Sequence, residues 1–169
     1  MDNKRVLRPI EKRDLEKLNR WKNDESVFKF LGGGYKPVSV DQQASWMDNM
    51  MDLNGNNKRF MILDENGDAI GMTGLYSIDW THRTCEVGLY IGESSARRKG
   101  FALMAYFSLE KYAKNYLNLR KIKLNVVRNN NAGKKLWDKV GFKEVGVLHQ
   151  ERYINGEYCD LIIMEKFIK

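Results

Sequence analysis

The sequence predicts a mixed α/β fold, and three observations carry that reading. Strand-like and helix-like runs interleave in the order strand, two helices, three strands, helix, strand, helix and a closing hairpin. Two turn signals, Glu65-Asn66-Gly67-Asp68 and Asn155-Gly156, join neighbouring strands directly and so require antiparallel pairs. The 169 residues, 43% hydrophobic and 30% charged, suit one globular domain over 1–169 with a sizeable core rather than a disordered chain.

Val6 to Ile10 is a short apolar strand, held to an edge or an end by Pro9. Asp14 opens a helix in which Leu15, Leu18 and Trp21 recur at helical spacing. Leu31 to Ser39, with three consecutive glycines, forms a loop that is either a lip or a turn. A second helix follows over about Val40–Asp52, capped by Ser39 or Asp41.

Two strands, RFMILD and AIGMTGLYSID, flank the first turn signal. Thr84 to Gly92 is a further strand, and Gly88 in its interior marks a bulge or a close approach by a neighbour. A long helix covers about Phe101–Leu117. In Lys121 to Arg128 the alternation of Ile122, Leu124 and Val126 turns one face inward. Asn129 to Phe142 is a capped helix that stops at Gly141. The final hairpin turns at Asn155-Gly156, the strongest short hairpin signal.

The function classes narrow quickly. No apolar run approaches the roughly 18 residues of a membrane span, and the first residues lack a signal-peptide core, so a cytoplasmic protein is expected. Cys85 and Cys159, with His82 and His149, show no metal-ligand spacing; no metal site is expected. The net charge of +7 suits an anionic partner. No basic-aromatic recognition motif accompanies it, so nucleic acid is not expected as the partner.

One stretch gives that charge a use. Ala96 to Phe107, ARRKGFALMAYF, places Arg97, Arg98 and Lys99 before Gly100 at the mouth of the long helix. Backbone N–H groups at such a turn form an anion concavity, and the helix N-terminus adds partial positive charge. Gly100 permits close approach, and Ala102 keeps the first turn narrow. A pyrophosphate is the expected guest.

With RRKGFA, NNAGKKLWDKVGF, RPIEKRDLEKLNRW and the ending GFKEVGVLHQERYINGEYCDLIIM, nearly the whole chain resembles the GCN5-related N-acetyltransferases (GNAT). The ending is most similar to the branch of ribosomal-protein and spermidine N-acetyltransferases, and EVGLYI resembles bacterial aminosugar N-acetyltransferases. The resemblance implies a three-layer fold with a central, twisted, mostly antiparallel sheet of about seven strands, splayed between the fourth and fifth. It implies acetyl-CoA as co-substrate, held by Gly88, Leu89 and Tyr90 along the arm. Arg97, Arg98, Lys99, Gly100, Phe101 and Ala102 would hold the pyrophosphate, with Asn130, Lys134 and Trp137 alongside. A homodimer is expected by the same analogy.

The acceptor is then an amine, whose pKa near ~10 leaves only about one molecule in a thousand neutral at pH 7. Glu86 is the candidate base, acting through a water, with an ion pair to Arg83 or another cation as the structural alternative; Tyr90 and His149 are weaker candidates. Where relatives carry an acidic tyrosine this chain has Trp137, whose indole is no useful proton donor. The thiolate would leave unaided, with water, or with a tyrosine of the hairpin such as Tyr153. Trp21, Phe28, Tyr35 and Trp46 are candidates for the substrate pocket. On charge, a nucleotide-linked aminosugar is slightly preferred to a polyamine, with a protein N-terminus or a non-catalytic CoA-binding regulator as alternatives.

Overall fold

The structure, a computed structural model, describes residues 4–168; the ends of the expected 1–169 domain lie outside the described residues. The chain runs β1 (Leu7–Pro9), a 3-10 turn, α1 (Leu15–Lys22), α2 (Glu25–Phe28), α3 (Val40–Met51), β2 (Lys58–Leu63), β3 (Ala69–Asp79) and β4 (Thr84–Ile91). A second 3-10 turn leads to α4 (Phe101–Asn115), β5 (Lys121–Val127), α5 (Asn131–Lys139), β6 (Lys143–Ile154) and β7 (Glu157–Phe167).

The seven strands form one sheet in the order β1-β2-β3-β4-β5-β7-β6. Every neighbouring pair is antiparallel except β4 and β5. That parallel pair is short: it joins Thr84 to Lys121, Cys85 to Ile122 and Glu86 to Lys123, and beyond Glu86 the two strands part.

Alternation decides what each face holds. Leu75, Val87, Ile122 and Leu124 face α4 and α5, packing with Tyr106, Leu109, Ala113 and Trp137. On the opposite face Met61 packs with Leu18, Trp21, Val27, Phe28 and Met47 of the three N-terminal helices. Helices therefore cover both faces of the sheet.

Local chemistry explains the caps. Ser39, not Asp41, caps α3, its Oγ accepting the Gln42 N–H at 3.1 Å. Asn130 Oδ1 accepts the Gly133 N–H at 3.0 Å to start α5. The helix ends in a Schellman motif: the Phe142 N–H bonds the Trp137 carbonyl and the Gly141 N–H bonds that of Asp138. Gly141 has φ +100°, and Trp137 and Phe142 make the accompanying hydrophobic contact, ring centroids 5.5 Å apart.

The structure adds one element, refines one helix start and decides between two pairs of readings left open by the sequence. Asp24 to Phe28 was not expected to be helical, yet α2 forms one turn, with Asp24 accepting the Ser26 N–H at 2.9 Å. Asp14 does not cap α1 with its side chain, which turns back to Arg8 and to the Glu11 N–H. The β3–β4 register is continuous from Gly71/Ile91 to Tyr76/Glu86, so Gly88 marks no bulge. Instead, a Cβ there would lie 3.1 Å from the Tyr76 ring, the close approach that was the other reading. The three-glycine run is a turn, closed by the Gly34 N–H on the Leu31 carbonyl at 2.9 Å.

Candidate active site

The parting of β4 and β5 opens into a cavity of about 720 Å³. Its floor follows from the register. Gly74 and Gly88 lie opposite each other, as do Tyr76 and Glu86, and Arg59 is opposite Gly74. All five positions therefore share one face, and three of them carry side chains: Arg59, Tyr76 and Glu86. The paired glycines leave a trough for the Tyr76 ring: a Cβ on Gly74 would meet its Cζ at 3.0 Å. The Arg59 guanidinium lies 5.3 Å from the centroid of that ring.

β4 lines the cavity from Glu86 to Tyr90, and Leu124, Asn125 and Val126 of β5 line it across the gap. Phe28 of α2 and Gln43, Trp46, Asn49 and Met50 of α3 contribute to its lining, while Asn130, Gly133, Leu136 and Trp137 border it from α5. The charged side chains in this lining are Lys22, Arg59 and Glu86.

Glu86 is half-buried. Among the described residues it makes no salt bridge, so the ion pair with Arg83 is not formed. Burial pushes the Tyr76 hydroxyl above the usual phenol range, although the Arg59 charge opposes it. Tyr90 is pushed up likewise, by burial and then by Tyr76. Both phenols are protonated at neutral pH and able to donate. Burial and the charge of Lys36 hold the Lys22 ammonium below the ordinary lysine range. Burial, with Glu86 next in effect, pushes the Cys85 thiol up to about 12, so it is no nucleophile.

The basic loop lies between the second 3-10 turn (Ser94–Ala96) and α4. Arg98 and Gly100 both take left-handed backbone, φ +62° and +84°, around Lys99, and α4 starts with no side-chain cap. Phe101 is buried with Ala96 and Ala105, fixing the helix start from below, so it offers backbone rather than side chain to a ligand. Ala102 is half-buried. The uncapped first turn and its flanking cations fit an anionic phosphate group.

Other expected site residues are placed elsewhere. Trp21 is 2% exposed and packs beneath Gly92, its Nε1 donating to Glu93 Oε1 at 3.1 Å; it is core, not pocket wall. Tyr35 is exposed and outside the cavity lining. Lys134 is tied to Asp138 at 2.7 Å and does not reach the cavity. Tyr153 is 65% exposed on the hairpin, its ring against Tyr158, outside the lining. That position does not suit a donor to the thiolate. His149 is exposed beside Asp160. Sequence reasoning missed Tyr76, Arg59, Lys22 and Gln43. Among the described residues no three His, Cys, Asp or Glu side chains gather as a metal site. No helix there is long and apolar enough to cross a membrane.

A seven-stranded mixed sheet parted between its fourth and fifth strands, with a basic loop and an uncapped helix start following the fourth, fits an acyl-CoA-type transferase. The model of the acetyltransferase (GNAT) domain matches residues 4–143, and the chain belongs to that family. It is an N-acetyltransferase with acetyl-CoA as co-substrate. The spermidine N(1)-acetyltransferase of Vibrio cholerae serotype O1 is 27% identical over 172 residues, covering 99% of this chain and 98% of that protein. That of Escherichia coli K12 is 28% identical over 158 residues, covering 94% and 83%. The crystal structure of the Vibrio cholerae spermidine N-acetyltransferase with CoA and spermine superposes with a TM-score of 0.87 at 29% identity. It covers 96% of this chain and 94% of that one.

Proposed function

We propose that the protein acetylates the primary amine of a small molecule by direct attack within the cavity at the β4–β5 parting. The observation that carries this reading is the position of Glu86: last residue of the parallel pair, in no salt bridge among the described residues, and on the cavity face. An ammonium must lose its proton before it attacks, and Glu86 takes that proton directly or through a water. Beyond Glu86 the β5-facing backbone of β4 has no strand partner, and Gly88, Leu89 and Tyr90 are the residues offered to the cofactor arm and the thioester. Arg97, Arg98, Lys99 and the α4 start hold the pyrophosphate. A thiolate of pKa about 8.5 leaves without a strong acid, and the protonated Tyr76 and Tyr90 hydroxyls are the phenols at hand.

The acceptor we infer is a polyamine, on the strength of relatives named for spermidine that align along nearly all of the chain. A second reading, an amine carrying an anionic group such as a nucleotide-linked aminosugar, is favoured by Lys22 and Arg59, two cations against one carboxylate in the lining. Acetyl-CoA with spermidine, a nucleotide-linked aminosugar and a free N-terminal peptide in one mixture, read by mass spectrometry, tests these readings. Acetyl-spermidine as the main product supports the first, and acetylated aminosugar the second. Acetylated peptide, or no product, contradicts both. The twelve-residue edge strand β6, largely exposed, supports the expectation of a homodimer.

A further inference from the structure

We propose that Lys22 and Arg59 set acceptor specificity: they read the charge on the part of the acceptor beyond its reacting nitrogen, favouring an anionic group there and opposing a second ammonium. The inference rests on reading the cavity as the acceptor site. Its lining carries these two cations against one carboxylate, Glu86, and the reacting nitrogen takes Glu86.

Neither cation has an anionic partner: among the described residues Lys22 and Arg59 make no salt bridge. Arg59 Nη1 donates to a neutral oxygen, Asn49 Oδ1, at 3.4 Å. The charge that bears on Lys22 is that of Lys36, of the same sign. Both side chains are half-buried rather than sealed, so a molecule in the cavity can reach them. Each rests on an aromatic face: Lys22 Nζ is 4.4 Å from the Phe28 ring centroid, and the Arg59 guanidinium 5.3 Å from that of Tyr76. A ring face holds a cation in place without neutralising it, and both heads keep donors for an anion. Those two faces are also closed to an ammonium of the acceptor. The cations stand at different stations along β4. Tyr76 lies opposite Glu86, whereas Phe28 packs edge-on against Tyr90 with centroids 5.0 Å apart, four strand residues or about 13 Å further on. An acceptor anchored at Glu86 therefore meets no second carboxylate in the lining. On spermidine the two cations limit affinity; on an amine bearing a phosphate or carboxylate they supply it.

Steady-state kinetics with spermidine and with a nucleotide-linked aminosugar test this in Lys22→Gln and Arg59→Gln, beside the charge-keeping Lys22→Arg and Arg59→Lys. Each neutral variant is expected to lower the spermidine KM about three- to tenfold, the scale of one partly screened charge. It should raise the aminosugar KM about tenfold or more, as lost charge-assisted hydrogen bonds do. The charge-keeping variants should stay near wild type, and the acetyl-CoA KM should stay within about twofold throughout. Where the wild-type chain turns over only one of the two acceptors, the sign of that shift decides. A spermidine KM that rises or stays level in the neutral variants, or an aminosugar KM that falls or stays level, overturns the role of the pair. So does a rise in the acetyl-CoA KM, which assigns the cations to the cofactor, or an equal shift in the charge-keeping variants, which marks shape rather than charge. Failure of the wild-type chain to acetylate either acceptor would instead overturn the reading of the cavity, and this role with it.

Discussion

Glu86 and Lys123 are the last two residues at which β4 and β5 run side by side. The carboxylate therefore stands at the apex of the cleft, where the proposed function brings the amine and the thioester together. Glu86→Gln is expected to lower kcat by about 10²–10³, the range of a lost general base. It should also remove the acidic limb of the pH–rate profile, leaving CoA affinity intact by calorimetry. An unaltered profile would remove Glu86 from the chemistry.

The basic loop should act on the phosphates alone. Combined Arg97→Ala, Arg98→Ala and Lys99→Ala substitution is expected to weaken CoA binding by about 10–100-fold, as lost charge-assisted hydrogen bonds do. Binding of pantetheine, which lacks the pyrophosphate, should be unaffected. Equal losses for both ligands would contradict the placement of the pyrophosphate.

Trp21 and Gly92 form a steric pair. A Cβ on Gly92 would stand 2.2 Å from the Trp21 ring, which cannot retreat because Nε1 is bonded to Glu93. Gly92→Ala should cost about 1–3 kcal/mol, seen as a fall in Tm, from overpacking. Adding Trp21→Leu should restore less than its own cavity takes away, but the two effects should be non-additive.

Arg8 and Asp14 make a two-point ion pair, both contacts 2.7 Å, with the Glu11 N–H adding a third bond to the carboxylate. Burial alone would raise the Asp14 pKa, but the hydrogen bonds from Arg8 and Glu11 outweigh it and hold it below the usual carboxylate range. A depressed folded pKa stabilises the fold above the ordinary value of about 3.8 and loses that contribution as pH falls through the folded value. Acid titration of Tm should therefore show a loss below about pH 4 that is absent in Asp14→Asn. At neutral pH that variant should be less stable by about 3 kcal/mol, because it leaves Arg8 half-buried and unpaired.

Much of this was legible in the sequence because the signals are local. Asn155 and Gly156 adopt φ +48° and +84°, the backbone that a two-residue hairpin demands. Gly141, Asn130 and Ser39 end or start helices through bonds to residues three positions away. The cavity floor was not legible, since it depends on register. That Gly74 faces Gly88, and that both make room for Tyr76, follows only once β3 is laid against β4. Trp21 illustrates the same gap: an aromatic on an amphipathic helix points inward, but whether it meets a ligand or Gly92 is set by a contact 71 positions along the chain. α2 was missed because one turn is too short to show a period.

The central claim is that the cofactor occupies the parting of β4 and β5 and meets the loop before α4. Amide hydrogen exchange with and without CoA tests it most directly. The account predicts protection concentrated in residues 87–91, 97–103 and 124–127, with α1 and the β6–β7 turn unchanged. Protection elsewhere, with those three segments unaffected, would contradict it.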